Sequence, residues 1–173
     1  MKEIIQWSLL ILPWLSLFFI GSENLRRFMS VGLFVTVINT LLYQAAYYYK
    51  WWREPGLFGW DNVIPVPWIY SAYFIATLWI FRYTYKRFWL YILVNLLLDG
   101  GYMFLWYPVQ QKLGLASSQT TLAPLPTYAL MISVALIIYL FQMWQDNGFK
   151  STHSDYIDHN RFKWLVGERR NAR

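Results

Sequence analysis

The sequence predicts an all-α, polytopic membrane protein, a five-helix transmembrane bundle with its N-terminus outside and its C-terminus cytoplasmic. Three observations lead there. Only 14% of the 173 residues are charged, against 57% hydrophobic and 21% aromatic, where soluble domains carry about 25% charged residues. Five apolar runs approach the roughly 20 helical residues that a bilayer core of about 30 Å requires. The basic residues gather at the ends of those runs, as they do on the flanks of membrane spans.

The first run is residues 4–20, with Pro13 inside it, where a missing amide should kink the helix. It is too long for a signal-peptide h-region, and no small-residue cleavage site follows, so a retained helix is the better reading. The second covers 28–49 and the third 66–81, the latter opened by Pro65 and Pro67. Proline suits a first turn, where its absent N–H costs little. The fourth covers 88–107 and the fifth 124–144. Residues 1–148 therefore form the bundle, and 149–173 a basic cytoplasmic tail.

Orientation follows from the charges. With five crossings, eleven of the fifteen Lys and Arg fall on one side and four on the other. The richer side holds the C-terminal tail and faces the cytoplasm. Tryptophan agrees, since Trp7, Trp51, Trp52, Trp60, Trp68 and Trp106 collect near the outer boundary. The run YYYKWW at 47–52 reads as an outer aromatic belt.

Asp99 interrupts the fourth run. It lies about 2 Å from the predicted midplane at 1.5 Å rise per residue, and an aspartate there costs about 3 kcal/mol to insert. The ten Leu, Ile, Val and Phe residues of the run offset this at about 0.5 kcal/mol each. At 100° per residue Tyr91, Asn95, Asp99, Tyr102 and Trp106 share an arc of about 80°. Such a polar face should look into the bundle rather than at lipid. Gly100 and Gly101 remove bulk beside it, allowing a neighbouring backbone to approach.

The second run presents Thr36, Asn39, Thr40, Tyr43 and Tyr47 on one face, with Asn39 at the depth of Asp99. Asn39 is therefore expected to meet Asp99, directly or through water. Asp99, Asn95, Tyr91, Tyr102, Asn39 and Tyr43 form the candidate intramembrane polar site. Three readings stay open: helix-to-helix glue, a binding site for a proton, cation or small polar solute, and a helix break at Asp-Gly-Gly.

The remaining segments say less. The loop LFGWDNVIPVPW at 57–68 reads as a stiff interfacial segment with a turn at Asp61–Asn62. The loop at 108–124 is polar and carries no motif. Asp155 and His159 in the tail are four apart, but no further ligands with metal geometry accompany them, so no metal or other cofactor is expected. The tail's six basic and three acidic residues suit anionic lipid headgroups, and a solvated, partly disordered segment is expected.

No catalytic constellation is found. There is no H-E-x-x-H, G-x-S-x-G or P-loop pattern, and with no cysteine neither a disulfide nor a thiol nucleophile exists. The net charge of +6 lacks any nucleic-acid recognition motif. The leading expectation is a non-enzymatic protein acting through helix–helix or protein–protein contacts, with other membrane proteins or with itself. The alternative is a channel or transporter subunit using Asp99 in a polar seam.

The segments GWDNVIPVPWIY at 59–70, KRFWLYILVNLLLD at 86–99 and KLGL at 112–115 resemble a family of small, about five-span integral membrane proteins of spore-forming Gram-positive bacteria. The resemblance covers about half the chain. It implies a bacterial plasma-membrane location and no assigned reaction, and it supplies no site residues.

Overall fold

The computed structural model describes residues 2–54, 56–114 and 121–171, with side chains described for 3–54, 56–114 and 121–147. Every regular element among the described residues is helical. The order is α1 (Lys2–Ser16) with a 3₁₀ turn at Leu17–Phe19, then α2 (Ser22–Tyr49). A π-helical segment at Trp68–Tyr73 leads into α3 (Phe74–Thr84). Next come α4 (Phe88–Gly101), a second π segment at Tyr102–Trp106, α5 (Tyr107–Lys112) and α6 (Pro124–Asn171). Three stretches are long and apolar enough to cross a membrane: Ser22–Tyr49, Phe88–Lys112 and Pro124–Asn147. Glu3–Phe19 is a shorter apolar helix.

Several expected boundaries move. α2 begins at Ser22 rather than 28, so Arg26 and Arg27 are helical instead of flanking. Gly21, at φ 80°, supplies the turn before it, a conformation that costs glycine nothing. Arg27 is accommodated by aromatic faces, its guanidinium 5.4 Å from the Phe28 centroid and 5.0 Å from that of Tyr85. The fourth helical stretch runs past 107 to Lys112. The tail, expected to be partly disordered, continues α6 as helix to Asn171. Asp155 and His159 fall there, outside the described side chains. No break occurs at Asp99-Gly100-Gly101, because α4 passes straight through into the second π segment.

Two compact units divide the chain, Met1–Ile138 and Tyr139–Arg173. In the first, α2 and α3 make the tightest pairing around Val31, Val35, Ile75, Leu78 and Phe81, all buried. Gly32 permits it, since a Cβ there would stand 2.8 Å from Phe74 Cε2. Close approach through a small residue thus occurs here rather than at the Gly100–Gly101 pair. A Cβ on Gly100 would meet the Tyr128 ring at an ordinary 3.6 Å, and one on Gly101 nothing at all.

α1 is tied to the third helical stretch by polar contacts. Ser71 Oγ donates to the Leu10 carbonyl at 2.9 Å, and Trp79 Nε1 donates to Ser16 Oγ at 2.9 Å. Arg82 donates to the Phe19 carbonyl. The second unit contains the remainder of α6, where Gln142 Nε2 donates to Asp146 Oδ1 at 2.9 Å, one helical turn along.

Outward-facing side chains are unusually apolar for a water-exposed surface. Phe18, Phe19, Trp89 and Leu105 are all more than 70% exposed. So large an apolar exterior is the signature of a lipid-facing surface rather than a hydrated one.

Candidate functional site: a cavity with two carboxylates

A cavity of about 590 Å³ opens within the first unit. Its wall is contributed by α2, the segment after it, the third helical stretch, α4–α5 and the first turns of α6. Of the six expected site residues, Asp99, Asn95, Tyr102, Asn39 and Tyr43 line this space. Tyr91 does not line it. It is fully buried and donates its hydroxyl to the Ala135 carbonyl at 2.7 Å, fastening α4 to α6.

Trp106 also leaves the expected polar face and stands 39% exposed. The π segment is the reason. It widens the turn to i→i+5 spacing, so Tyr107 rather than Trp106 follows Tyr102 around the helix. Met103 and Tyr107 are buried there, with Tyr102 and Tyr128 packed on them.

Asn39 and Asp99 share the cavity, but no hydrogen bond joins them. Asp99 is half-buried and makes no hydrogen bond or ion pair with any described residue. Asn95 points its Nδ2 back to the Tyr91 carbonyl at 2.8 Å, leaving its other amide atom for the cavity.

A second carboxylate, Glu54, lies on the same wall and was not among the expected site residues. It is 2% exposed. Tyr43 Oη donates to its Oε2 at 2.7 Å, and Tyr102 Oη donates to its Oε1. Tyr73 stands beside Tyr43, ring centroids 6.5 Å apart. Burial raises the Glu54 carboxyl above its ordinary value, and the hydrogen bonds from Tyr102 and Tyr43 oppose that rise. The one sequence signal for Glu54 is an acid set inside the aromatic run WWREPG at 51–56. In a linear reading it passes as a loop charge.

The chain after Glu54 is held by a separate knot. Asp61, also 2% exposed, accepts from three backbone amides: Phe58 N at 2.7 Å, Leu57 N at 3.1 Å and Val66 N at 3.2 Å. Gly56 packs directly on this carboxylate, where any Cβ would overlap it. Gln6 Nε2 of α1 donates to the Gly56 carbonyl at 3.1 Å. The expected turn at Asp61–Asn62 is thus a buried carboxylate that gathers the loop and sets the chain that carries Glu54. Thr121 Oγ1 donates to the Lys50 carbonyl at 2.9 Å, joining the chain just ahead of α6 to the end of α2.

No family model, curated protein or solved structure matches this chain. Its chemistry must be read from its own residues. Among the described residues no group of three or more His, Cys, Asp or Glu is placed to hold a metal ion. The wall combines two carboxyl groups, amides and tyrosine hydroxyls with Trp51, Trp52 and Trp68. Among the described wall residues no nucleophile is paired with a base.

Proposed function

We propose that this chain is a channel or transporter subunit of a bacterial plasma membrane, admitting a small solute to the cavity around Asp99 and Glu54. The observation that carries the reading is an unpartnered Asp99 facing about 590 Å³ of space. A carboxylate serving only as glue between helices would be satisfied by a partner, since an unmet polar group in a bilayer is costly. The resemblance to five-span proteins of spore-forming bacteria is consistent with the location.

In this reading five segments cross the bilayer, with the N-terminus outside and the C-terminus cytoplasmic, as the eleven-to-four division of basic residues favours. Glu54 then sits toward the outer end of the cavity and Asp99 near mid-depth. A solute arriving from outside meets Glu54 and its tyrosines first. The bilayer and, at residues 149–173, anionic headgroups are the partners this arrangement calls for. A role confined to contacts with other membrane proteins would leave the cavity without a purpose.

The test is flux in proteoliposomes containing the purified chain, using proton, potassium and methylammonium gradients. Flux above that of empty liposomes is expected for at least one of the three, and Asp99→Asn should lower it at equal reconstitution. Wild-type flux no greater than empty liposomes for all three would remove the transport reading.

A further inference from the structure

The cavity wall is one-sided in charge among the described residues. Two carboxyl groups line it, and no Lys, Arg or His does so among the described residues. Four of its hydroxyl donors are engaged by protein acceptors, while Tyr107 Oη is buried with no hydrogen-bond partner among the described residues. Thr77 Oγ1 donates to the Tyr73 carbonyl at 2.8 Å, and Thr127 Oγ1 to the Ala123 carbonyl at 3.1 Å. Tyr43 and Tyr102 direct their protons at Glu54. What these four hydroxyls leave over is oxygen lone pairs, and the amide groups of Asn39, Asn95 and Gln111 line the wall beside them.

Aromatic rings supply the rest of this end of the cavity. Tyr43 stands edge-on to Trp52, centroids 5.9 Å apart, and 6.5 Å from Tyr73. Trp68 lies 6.0 Å from Tyr73 and 5.7 Å from Tyr102. Ring faces attract weakly hydrated cations through their quadrupole.

The geometry points to a binding site for a protonated organic amine, an alkyl- or arylammonium ion, held between these rings with its N–H groups toward Asp99 and Glu54. Its carbon skeleton lies against Val35, Leu98, Met131 and Val134, which complete the wall. The inference rests on the cavity reading above and supplies its ligand class. An anion would meet two carboxyl groups and no compensating cation. A bare calcium or magnesium ion takes about six or more oxygen ligands, and ring faces provide none. A neutral apolar solute would cover Asp99 and leave its carboxyl without a partner. An ammonium ion brings a positive charge and N–H donors to the two carboxyl groups, and its entry favours the ionised form of each. The volume falls within the roughly 300–1,000 Å³ usual for small-molecule sites.

The chain contains no cysteine, so a single introduced thiol reports on the cavity without background. Ala72→Cys places it on the wall, and Asn62→Cys, at an exposed loop position, serves as reference. Reconstituted protein is labelled with two methanethiosulfonates of similar size, one carrying an ethylammonium group and one an ethylsulfonate. The cationic-to-anionic rate ratio at Ala72→Cys should exceed that at Asn62→Cys by about tenfold or more, the scale of electrostatic focusing in a charged cleft. Hexylammonium chloride should slow the labelling of Ala72→Cys, and hexanol should not. Asp99→Asn and, independently, Glu54→Gln should each pull the ratio toward the reference, with helical circular dichroism and elution volume unchanged. Equal ratios at the two thiols, or protection by hexanol as strong as by hexylammonium, would overturn the ammonium site while leaving an accessible cavity standing. A reference thiol that reacts beside an Ala72→Cys thiol inert to both reagents would overturn the ammonium site and the cavity reading together.

Discussion

Asp61 and Asp99 place the same side chain in opposite surroundings. Asp61 accepts three backbone N–H bonds inside a loop with almost no exposed surface. Asp99 sits on an apolar helix, half-buried, facing a cavity, and no described residue bonds to it. Glu54 falls between the two, buried like Asp61 but facing the cavity like Asp99, with two tyrosine hydroxyls on its oxygens. The contrast separates a carboxylate that organises backbone from one that no described residue satisfies. A satisfied buried carboxylate strengthens the fold it belongs to, whereas an unsatisfied one weakens it and is retained for another reason.

The largest test of this contrast is Asp61→Ala. It leaves three amide donors without their acceptor, so a loss of about 3 kcal/mol or more is expected, read as thermal unfolding in detergent micelles. Gly56→Ala follows, because the new Cβ overlaps the Asp61 carboxylate. Displacing that group should cost about 1–3 kcal/mol, in the range of overpacking. Asp99→Leu should behave in the opposite sense, with stability unchanged or raised by up to about 1 kcal/mol, since an uncompensated polar group is removed. A loss as large as that of Asp61→Ala would make Asp99 a structural carboxylate and erase the distinction.

The smallest effect concerns pH. The folded state raises the Glu54 carboxyl above its ordinary value of 4.5, burial outweighing the two hydrogen bonds. Protonated Glu54 therefore favours the folded state, and this contribution is complete below pH 4.5. It declines as pH rises through the folded-state value, because the unfolded chain then releases the proton more readily. Glu54→Gln, which does not titrate, should show a flatter loss of stability over that rise. Parallel pH profiles for the two proteins would remove Glu54 from the account.

Much of the helical plan was legible in the chain. The apolar runs at 28–49, 88–107 and 124–144 each lie within a helix long enough to cross a membrane. The polar arc on the fourth run was legible too as far as Tyr102, because α4 keeps 100° per residue through Gly101. Beyond it, the π segment at Tyr102–Trp106 changes the angular step. Trp106 then turns outward and Tyr107 inward, a shift that a constant 100° per residue misses. Asn39 and Asp99, which the sequence sets at one depth, line one cavity with no hydrogen bond between them.

Composition, charge placement and apolar run length determined by themselves that the chain is helical and suited to lipid, because a bilayer demands long apolar helices and rejects unpaired backbone. They also marked Asp99, since a carboxylate in such a run is costly wherever the helix lies. Only the tertiary structure decided which acids belong together. Glu54 reaches Tyr43 and Tyr102 across 11 and 48 residues of sequence, and Asp61 turns its charge onto its own loop. Those outcomes depend on how separate segments pack, and local sequence does not encode the distance between surfaces that meet only when the chain has folded.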